Sequence, residues 1–310
     1  MRIVFCGTPQ FAVPSLKYLL TLSDFEIVSV YTQPDRPRGR GQEISFSAVK
    51  EVAMAAGLDV QQPAKVRAPE VEEHLRGLAP DAIVIIAYGQ IIPARLLPIP
   101  RLGWINLHAS LLPKYRGAAP IQWAIASGET ATGNTTMRID AGMDTGEMLL
   151  REELRIGADE TAPELAGRLA EMGALLMART LRGLAGGELL GRAQNHAAAT
   201  LAPMLKREDG RIEWARTATE IYNRMRGFAP WPGAYTEFRG QTCHLRGKPL
   251  AGAAVGEPGT ILVEKDLVRV ICGGGSALEI THVKQEGRKE ISAEEFVRGA
   301  RVVDGERFGK

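Results

Sequence analysis

Cysteine is scarce in this chain of 310 residues: Cys6, Cys243 and Cys272 stand far apart, odd in number and without a CxxC pair. That spacing excludes a disulfide framework and leaves no thiolate set for zinc, so a reducing compartment fits and no metal site is expected. Long apolar runs are missing too. None approaches the roughly 20 residues needed to cross a bilayer, and the strand-like "RIVFCG" directly after Met1 leaves no room for a signal or transit peptide. The expectation is a cytoplasmic protein without a membrane partner. Excess charge of one sign is also lacking. The 38 basic and 36 acidic residues leave a net charge of +2, too near balance to demand a polyanionic partner, although a local basic patch escapes that sum.

What is present is a soluble composition, 45% hydrophobic and 24% charged, on a chain long enough for two domains. The first part alternates strand-like and helix-like text: "RIVFCG", then "PQFAVPSLKYLLTL" as a helix, "EIVSVYTQ", a polar loop "PDRPRGRGQ", and helices from about Ser47 to Ala56 and Pro69 to Leu78. "DAIVIIAYG" and "GWINLHA" are further strands, "PIQWAIASG" a helix, "NTTMRID" and "EMLLREEL" the last strands, and "APELAGRLAEMGALLMARTLRGL" a long closing helix. Runs apolar on both faces and separated by helices specify a parallel sheet covered on both sides. This predicts an α/β fold, with a Rossmann-like, mostly parallel domain over residues 1–188. Periodicity fades from Gly187 to Gly210, giving a linker over 189–207. Thr217-Ala-Thr-Glu220 then forms a capping box before "EIYNRMRGF", and Ser292-Ala-Glu-Glu295 caps a last helix. Between them, short strands with turn residues predict a small antiparallel β-barrel over 208–310.

The polar chemistry concentrates in "INLHASLLPKYRGAAP", residues 105–120. Side chains alternate along a strand, so Asn106 and His108 share a face, about 7 Å apart along the backbone, while Ile105, Leu107 and Ala109 take the other. Open α/β sheets bind ligands at the carboxyl ends of strands. By itself the pair fits equally a buried amide and imidazole that satisfy each other. "RIDAGMDTGEM" adds Asp140 and Asp144 at another strand end, with Gly142 and Gly146 allowing a close turn that brings Asp144 back over the sheet; by itself this is turn chemistry. Together, Asn106, His108 and Asp144 supply an oxyanion donor, a base and an orienting carboxylate.

"NLHASLLPKYRGAAPIQWAI" resembles the signature of the 10-formyltetrahydrofolate-dependent formyltransferases. The chain as a whole is similar to the members of that family that act on tRNA, through "FCGTPQFAVPSL", "YTQPDRPRGRGQ", "AYGQIIP", "MDTGEML", "EDGRIEW" and "FAPWPGAY". The resemblance implies formyl transfer from folate N10 to the α-amino group of methionine on initiator Met-tRNA, with 10-formyltetrahydrofolate as cosubstrate and no tightly bound cofactor. It implies Asn106, His108 and Asp144 as the catalytic trio. It also implies Ser110, Leu111, Leu112 and Pro113 as folate-binding, and Tyr88, Gly89, Gln90 and Ile91 are expected to line the same slot. Arg36, Arg38 and Arg40 of the arginine loop, Arg40 foremost, are expected at the tRNA acceptor end. The barrel is expected to be of oligonucleotide-binding (OB-like) type, and the molecule a monomer. The chain departs from the family at the linker, where a Tyr-Ala-x-Lys pattern gives way to "LAPML" with Leu201 and Met204; Lys206 and Arg207 follow closely and are expected as tRNA contacts.

Three rivals differ in testable ways. A nicotinamide dehydrogenase has the strand, Gly7, the helix and an acid at Asp35, but "CGTPQF" lacks the later glycines of GxGxxG. A non-enzymatic RNA-binding module leaves Asn106, His108 and Asp144 unexplained. Folate-dependent formyltransferases of sugar nucleotides or glycinamide ribonucleotide share the active centre, but not "PDRPRGRGQ" together with "FAPWPGAY".

Overall fold

The structure, a computed structural model, describes residues 1–38, 43–264 and 267–309, with the backbone alone for 36–38 and 43–44. Contacts divide the chain into two compact units. One comprises residues 1–120, 131–155 and 165–203, the other 121–130, 156–164 and 204–310. Residues 189–203, expected within a linker, are therefore counted with the first unit. The cause is hydrogen bonding: Arg192 pairs with Met148, Thr200 and Ala202 pair with Arg116, and Ala119 donates to Ala202.

The first unit starts with β1 (Arg2–Gly7), α1 (Val13–Leu20) and β2 (Glu26–Tyr31). Within the segment expected as a polar loop lies a short strand, β3 (Arg36–Arg38), which pairs antiparallel with β4 (Glu43–Ser45) just beyond it. Then come α2 (Ala48–Ala55), β5 (Val60–Gln61), α3 (Pro69–Leu78), β6 (Ala82–Ile86) and β7 (Trp104–His108). After α4 (Pro120–Ala126) come β8 (Ala131–Arg138), β9 (Met148–Arg155) and the long α5 (Ala162–Ala185). The seven-stranded sheet has the order β5-β2-β1-β6-β7-β8-β9. It is parallel from β5 to β7, while β8 runs antiparallel to both its neighbours.

Period-two alternation sends each central strand's side chains into two different cores. Ile3 and Phe5, Val84 and Ile86, and Ile105 and Leu107 join the core that also holds Leu16 and Leu19 of α1 and Leu176, Met177 and Leu181 of α5. Val4 and Cys6, Ile83 and Ile85, and Trp104 join the other, with Val71 and Leu75 of α3. Both faces are buried, as a parallel sheet requires.

The second unit is an antiparallel sheet of β10 (Tyr235–Phe238), β11 (Gln241–Leu250), β12 (Ile261–Glu264), β13 (Leu267–Cys272) and β14 (Ser276–Gln285), in the order β10-β11-β14-β13-β12, with β15 (Ile291–Ser292) beside β14. Among the described residues the edge strands β10 and β12 do not pair with each other. The C-terminal stretch fills the gap: Gly309 N–H donates to Glu237 of β10, Phe308 N–H to Gly259, and Ile261 N–H to Glu306. Thr217 and Ser292 cap α6 (Ala218–Gly227) and α7 (Ala293–Ala300) with both reciprocal bonds of the capping box. Ile221, Phe238, Phe296 and Phe308 pack in the core beneath.

Candidate active site

The site exists because an apolar row stops. On the face that carries Trp104, the next two inward positions of β7 are Asn106 and His108. They are 9% and 6% exposed. Burying an amide and an imidazole without partners is costly, so the loops around them must either satisfy them or leave them for a ligand. Both outcomes occur. His108 Nε2 lies 2.8 Å from the Tyr115 carbonyl oxygen; a carbonyl only accepts, so this nitrogen carries the hydrogen and donates it. The Asn106 carboxamide makes no hydrogen bond among the described residues.

Asp144 completes the group from the loop between β8 and β9. It was expected at a neighbouring strand end, but β8 runs antiparallel to β7, so Arg138 at its end lies opposite Ile105, near the start of β7. The loop between β8 and β9 folds back over the sheet face and places Asp144 Oδ2 3.6 Å from His108 Nδ1. That is an ion-pair separation rather than a hydrogen bond. The Gly117 N–H donates to the same oxygen at 2.8 Å. Gly142 and Gly146 were expected to allow the close turn. The turn is made by Asp144 itself, at φ 54°, a conformation costing about 1–3 kcal/mol in a non-glycine residue. Gly146 contributes room instead, since a Cβ there would collide with the Arg138 carbonyl. Asp140 stays within the loop, accepting from Gly142 N–H at 3.0 Å and from the Thr145 hydroxyl at 2.8 Å.

The loop after β7 is stapled internally. Ser110 Oγ donates to Lys114 O at 2.6 Å, and Thr135 Oγ1 of β8 donates to Ser110 O at 2.7 Å while accepting from Leu112 N–H at 3.1 Å. Of the four residues expected to hold folate here, Ser110 and Leu112 are fully buried and Leu111 and Pro113 half-buried. The Ser110 hydroxyl is thus engaged within the loop, and Leu112 is a core residue. The turn after β6 alternates in the same way. Tyr88 is buried beside Cys6 and Tyr31, and burial pushes its hydroxyl pKa up. Gln90 is tied at both ends of its amide to Val66 N–H (2.6 Å) and Pro63 O (3.1 Å). Ala87, Gly89 and Ile91 face outward, Ile91 at 92% exposure. Ile85 pairs with Asn106, so this outward edge leaves the sheet beside His108.

The residues expected to meet tRNA lie apart from this centre in the chain. Arg36 and Arg38 are in β3, and Arg40 lies outside the described residues. Lys206 begins a 3-10 turn in the second unit with its N–H on Asp209, and the Arg207 guanidinium sits 5.9 Å from the Tyr235 ring. On β11 the outward row His244, Arg246 and Lys248 is exposed, although Arg246 pairs with Glu290 at 3.1 Å and Lys248 with Asp159 at 3.6 Å. Leu201 and Met204 are 70% and 74% exposed.

The side chains that other chemistry would use are engaged elsewhere. Asp35, the acid a dehydrogenase would need for ribose, is taken by Lys50 and by Gln62 Nε2 at 2.9 Å; the Lys50 hydrogen bond first, then that of Gln62, holds its carboxyl below the usual range. All three cysteines are buried and unpaired, and burial raises each thiol, that of Cys272 to about 12. Among the described residues no group of three metal-ligating side chains is found, and no helix is long and apolar enough to cross a membrane.

Sequence reasoning missed Thr135, Arg116, Gly117 and Gln194. Gly117, at φ 118°, brings its N–H to Asp144 where a Cβ would lie 2.7 Å from Ala202 O. Arg116 had a signal, being a basic residue inside the quoted stretch. Gln194 had none.

Residues 1–181 match the family model described as formyl transferase, and residues 204–301 the one described as formyl transferase, C-terminal domain. The chain is 52% identical over its whole length to a methionyl-tRNA formyltransferase of Solibacter usitatus, covering 99% of it. It is likewise 52% identical to the one of Acidobacterium capsulatum, covering all of it, and 48% to that of Geobacter sulfurreducens, covering 97%. Among solved structures, a sugar 3N-formyl transferase crystallised with dTDP and 5-N-formyl-THF superposes with TM-score 0.65 at 18% identity, over 93% of this chain and 99% of that one. An N-formyltransferase from Helicobacter canadensis, in complex with folinic acid and dTDP-3-aminofucose, gives 0.65 at 18%, over 90% and 98%.

Proposed function

We propose a function on one premise: the chain belongs to the formyl transferase family, through its N-terminal and its C-terminal domain alike. It is a transferase that moves the formyl group of 10-formyltetrahydrofolate to the α-amino group of methionine on initiator Met-tRNA, for translation initiation in the cytoplasm. Relatives about half identical over the full chain carry that name, whereas the sugar formyltransferases share the fold at 18% identity.

The observation that carries the mechanism is the convergence of Asn106, His108 and Asp144 on one face of β7, with the Asn106 amide free of any protein partner among the described residues. The flat donor is assigned to the exposed edge of Ala87, Gly89 and Ile91 and to the loop of Leu111 to Pro113. Ser110, Tyr88 and Gln90 shape that slot from behind. The folate supplies a formyl carbon on a nitrogen leaving group. The protein's residues do the rest. Asn106 Nδ2 donates to the carbonyl oxygen as negative charge grows on it. The attacking amine must lose a proton and the departing nitrogen must gain one. His108 exchanges that proton at Nδ1, its Nε2 being fixed by Tyr115, and Asp144 Oδ2 at 3.6 Å stabilises the charge that results and draws the proton through water.

The second unit takes the tRNA through Arg207, Lys206 and the outward row of β11, and the arginine segment from Arg36 to Arg40 meets the acceptor end. The test is formylation of charged initiator against charged elongator Met-tRNA with 10-formyltetrahydrofolate. Initiator is strongly preferred, with binding that weakens steeply as salt rises. An amino sugar nucleotide outperforming the tRNA overturns the assignment.

A further inference from the structure

We propose that Gln194 is a positioning residue that holds Asp144 in its working conformation, and that Arg116 anchors Gln194 for this task. The inference rests on the assignment of Asp144 to the catalytic centre. Gln194 comes from the segment between α5 and the second unit, 50 residues from Asp144 and 78 from Arg116 in sequence. It is nevertheless only 5% exposed.

A carboxamide has two donor hydrogens and two acceptor lone pairs, and all four are used. Nε2 donates to Asp144 O and to Gly146 O, each at 2.8 Å. Oε1 accepts from Arg116 Nε at 3.1 Å and Nη2 at 2.7 Å. One of these carbonyls belongs to the left-handed residue itself and the other lies two residues further on, so the amide fixes the backbone on which the Asp144 side chain is aimed. A strained residue keeps its conformation only when its surroundings over-determine it, and this amide is the side chain that does so from outside the loop.

Arg116 ties the clamp to the other half of the site. It is 7% exposed, its Nη2 also reaches His196 Nδ1 at 3.2 Å, and its backbone pairs with Thr200 and Ala202. The next residue, Gly117, gives the N–H that binds the Asp144 carboxylate. One buried arginine therefore bears on both, on the backbone of Asp144 through its guanidinium and Gln194, and on the Asp144 carboxylate through the main chain that leads into Gly117.

Glutamine is needed rather than glutamate. A carboxylate would still pair with Arg116, but it cannot donate to either carbonyl and would repel both oxygens. Gln194→Glu therefore keeps the anchor and releases the clamp. In Arg116→Met/Gln194→Met, both partners of the buried pair become apolar at similar volume, a change that folding tolerates better than loss of one partner.

The experiment measures steady-state formylation of Met-tRNA by the full chain and these variants, with thermal melts to confirm folding. Both variants should lose about 100-fold in kcat, the order expected for a displacement near 1 Å, with KM for either substrate within about threefold. In single turnover, Gln194→Glu added to Asp144→Asn should cost little more than Asp144→Asn alone, since a positioning residue has nothing left to position. A kcat near native in a folded variant, a loss confined to KM, or full additivity with Asp144→Asn each overturns the proposal. An unchanged rate in Asp144→Asn itself overturns the assignment of Asp144 instead, and a native chain that formylates no tRNA overturns the proposed function.

Discussion

Replacing Asn106 by alanine isolates one interaction. The carboxamide sits at 9% exposure with no hydrogen bond among the described residues, so its removal orphans no protein group and costs the fold little. A change within about 1 kcal/mol moves Tm by only about 2–4 °C in a chain of this size. On the proposed mechanism the same amide donates to the developing oxyanion, and losing such a donor costs about 2.7–4 kcal/mol, or about 100- to 1000-fold in rate. Because the interaction strengthens only as charge grows, kcat and kcat/KM fall together. Asn106→Asp, equal in size, should be worse, since it removes the donor and sets a second carboxylate facing the same space as Asp144. The assay is initial-rate formylation of Met-tRNA over a range of both substrates, beside a thermal melt. Turnover within about threefold of native, or a loss appearing only as raised KM, would refute the oxyanion role. A collapse of Tm would refute the claim that the amide is structurally idle.

Two further outcomes concern stability. Thr217→Ala removes the hydroxyl that accepts from Glu220 N–H at the start of α6, and should cost about 1 kcal/mol, seen as a lower urea midpoint with kcat unchanged. Asp81 accepts from Arg2 N–H at 2.8 Å and from Arg101 Nε at 2.7 Å. The backbone bond first, then Arg101, lowers its pKa. The folded state therefore binds fewer protons than the unfolded state, and the stabilisation is complete above about pH 3.9, then lost as pH falls through the lower native value. Asp81→Asn should thus lower the urea midpoint more at pH 7 than at pH 3; an equal loss at both would contradict the assignment.

The sequence alone determined whatever depends on local period and local chemistry. Unbroken apolar runs such as "DAIVIIAYG" specify a strand buried on both faces, Thr217 to Glu220 and Ser292 to Glu295 specify helix starts, and alternation puts Asn106 and His108 on one face before any coordinates exist. These follow from the pleat and from unsatisfied N–H groups at helix ends, which are properties of a few adjacent residues. The tertiary structure alone decided what depends on groups distant in the chain. Only the antiparallel course of β8 shows that the loop bearing Asp144 sets out from near the start of β7 and not from a strand end beside His108. Only burial shows that Tyr88, Gln90 and Ser110 face inward. The largest omission, Gln194, lies in text without periodicity. Its function comes from four hydrogen bonds to residues 48 to 78 positions away, and no local pattern encodes a contact of that range.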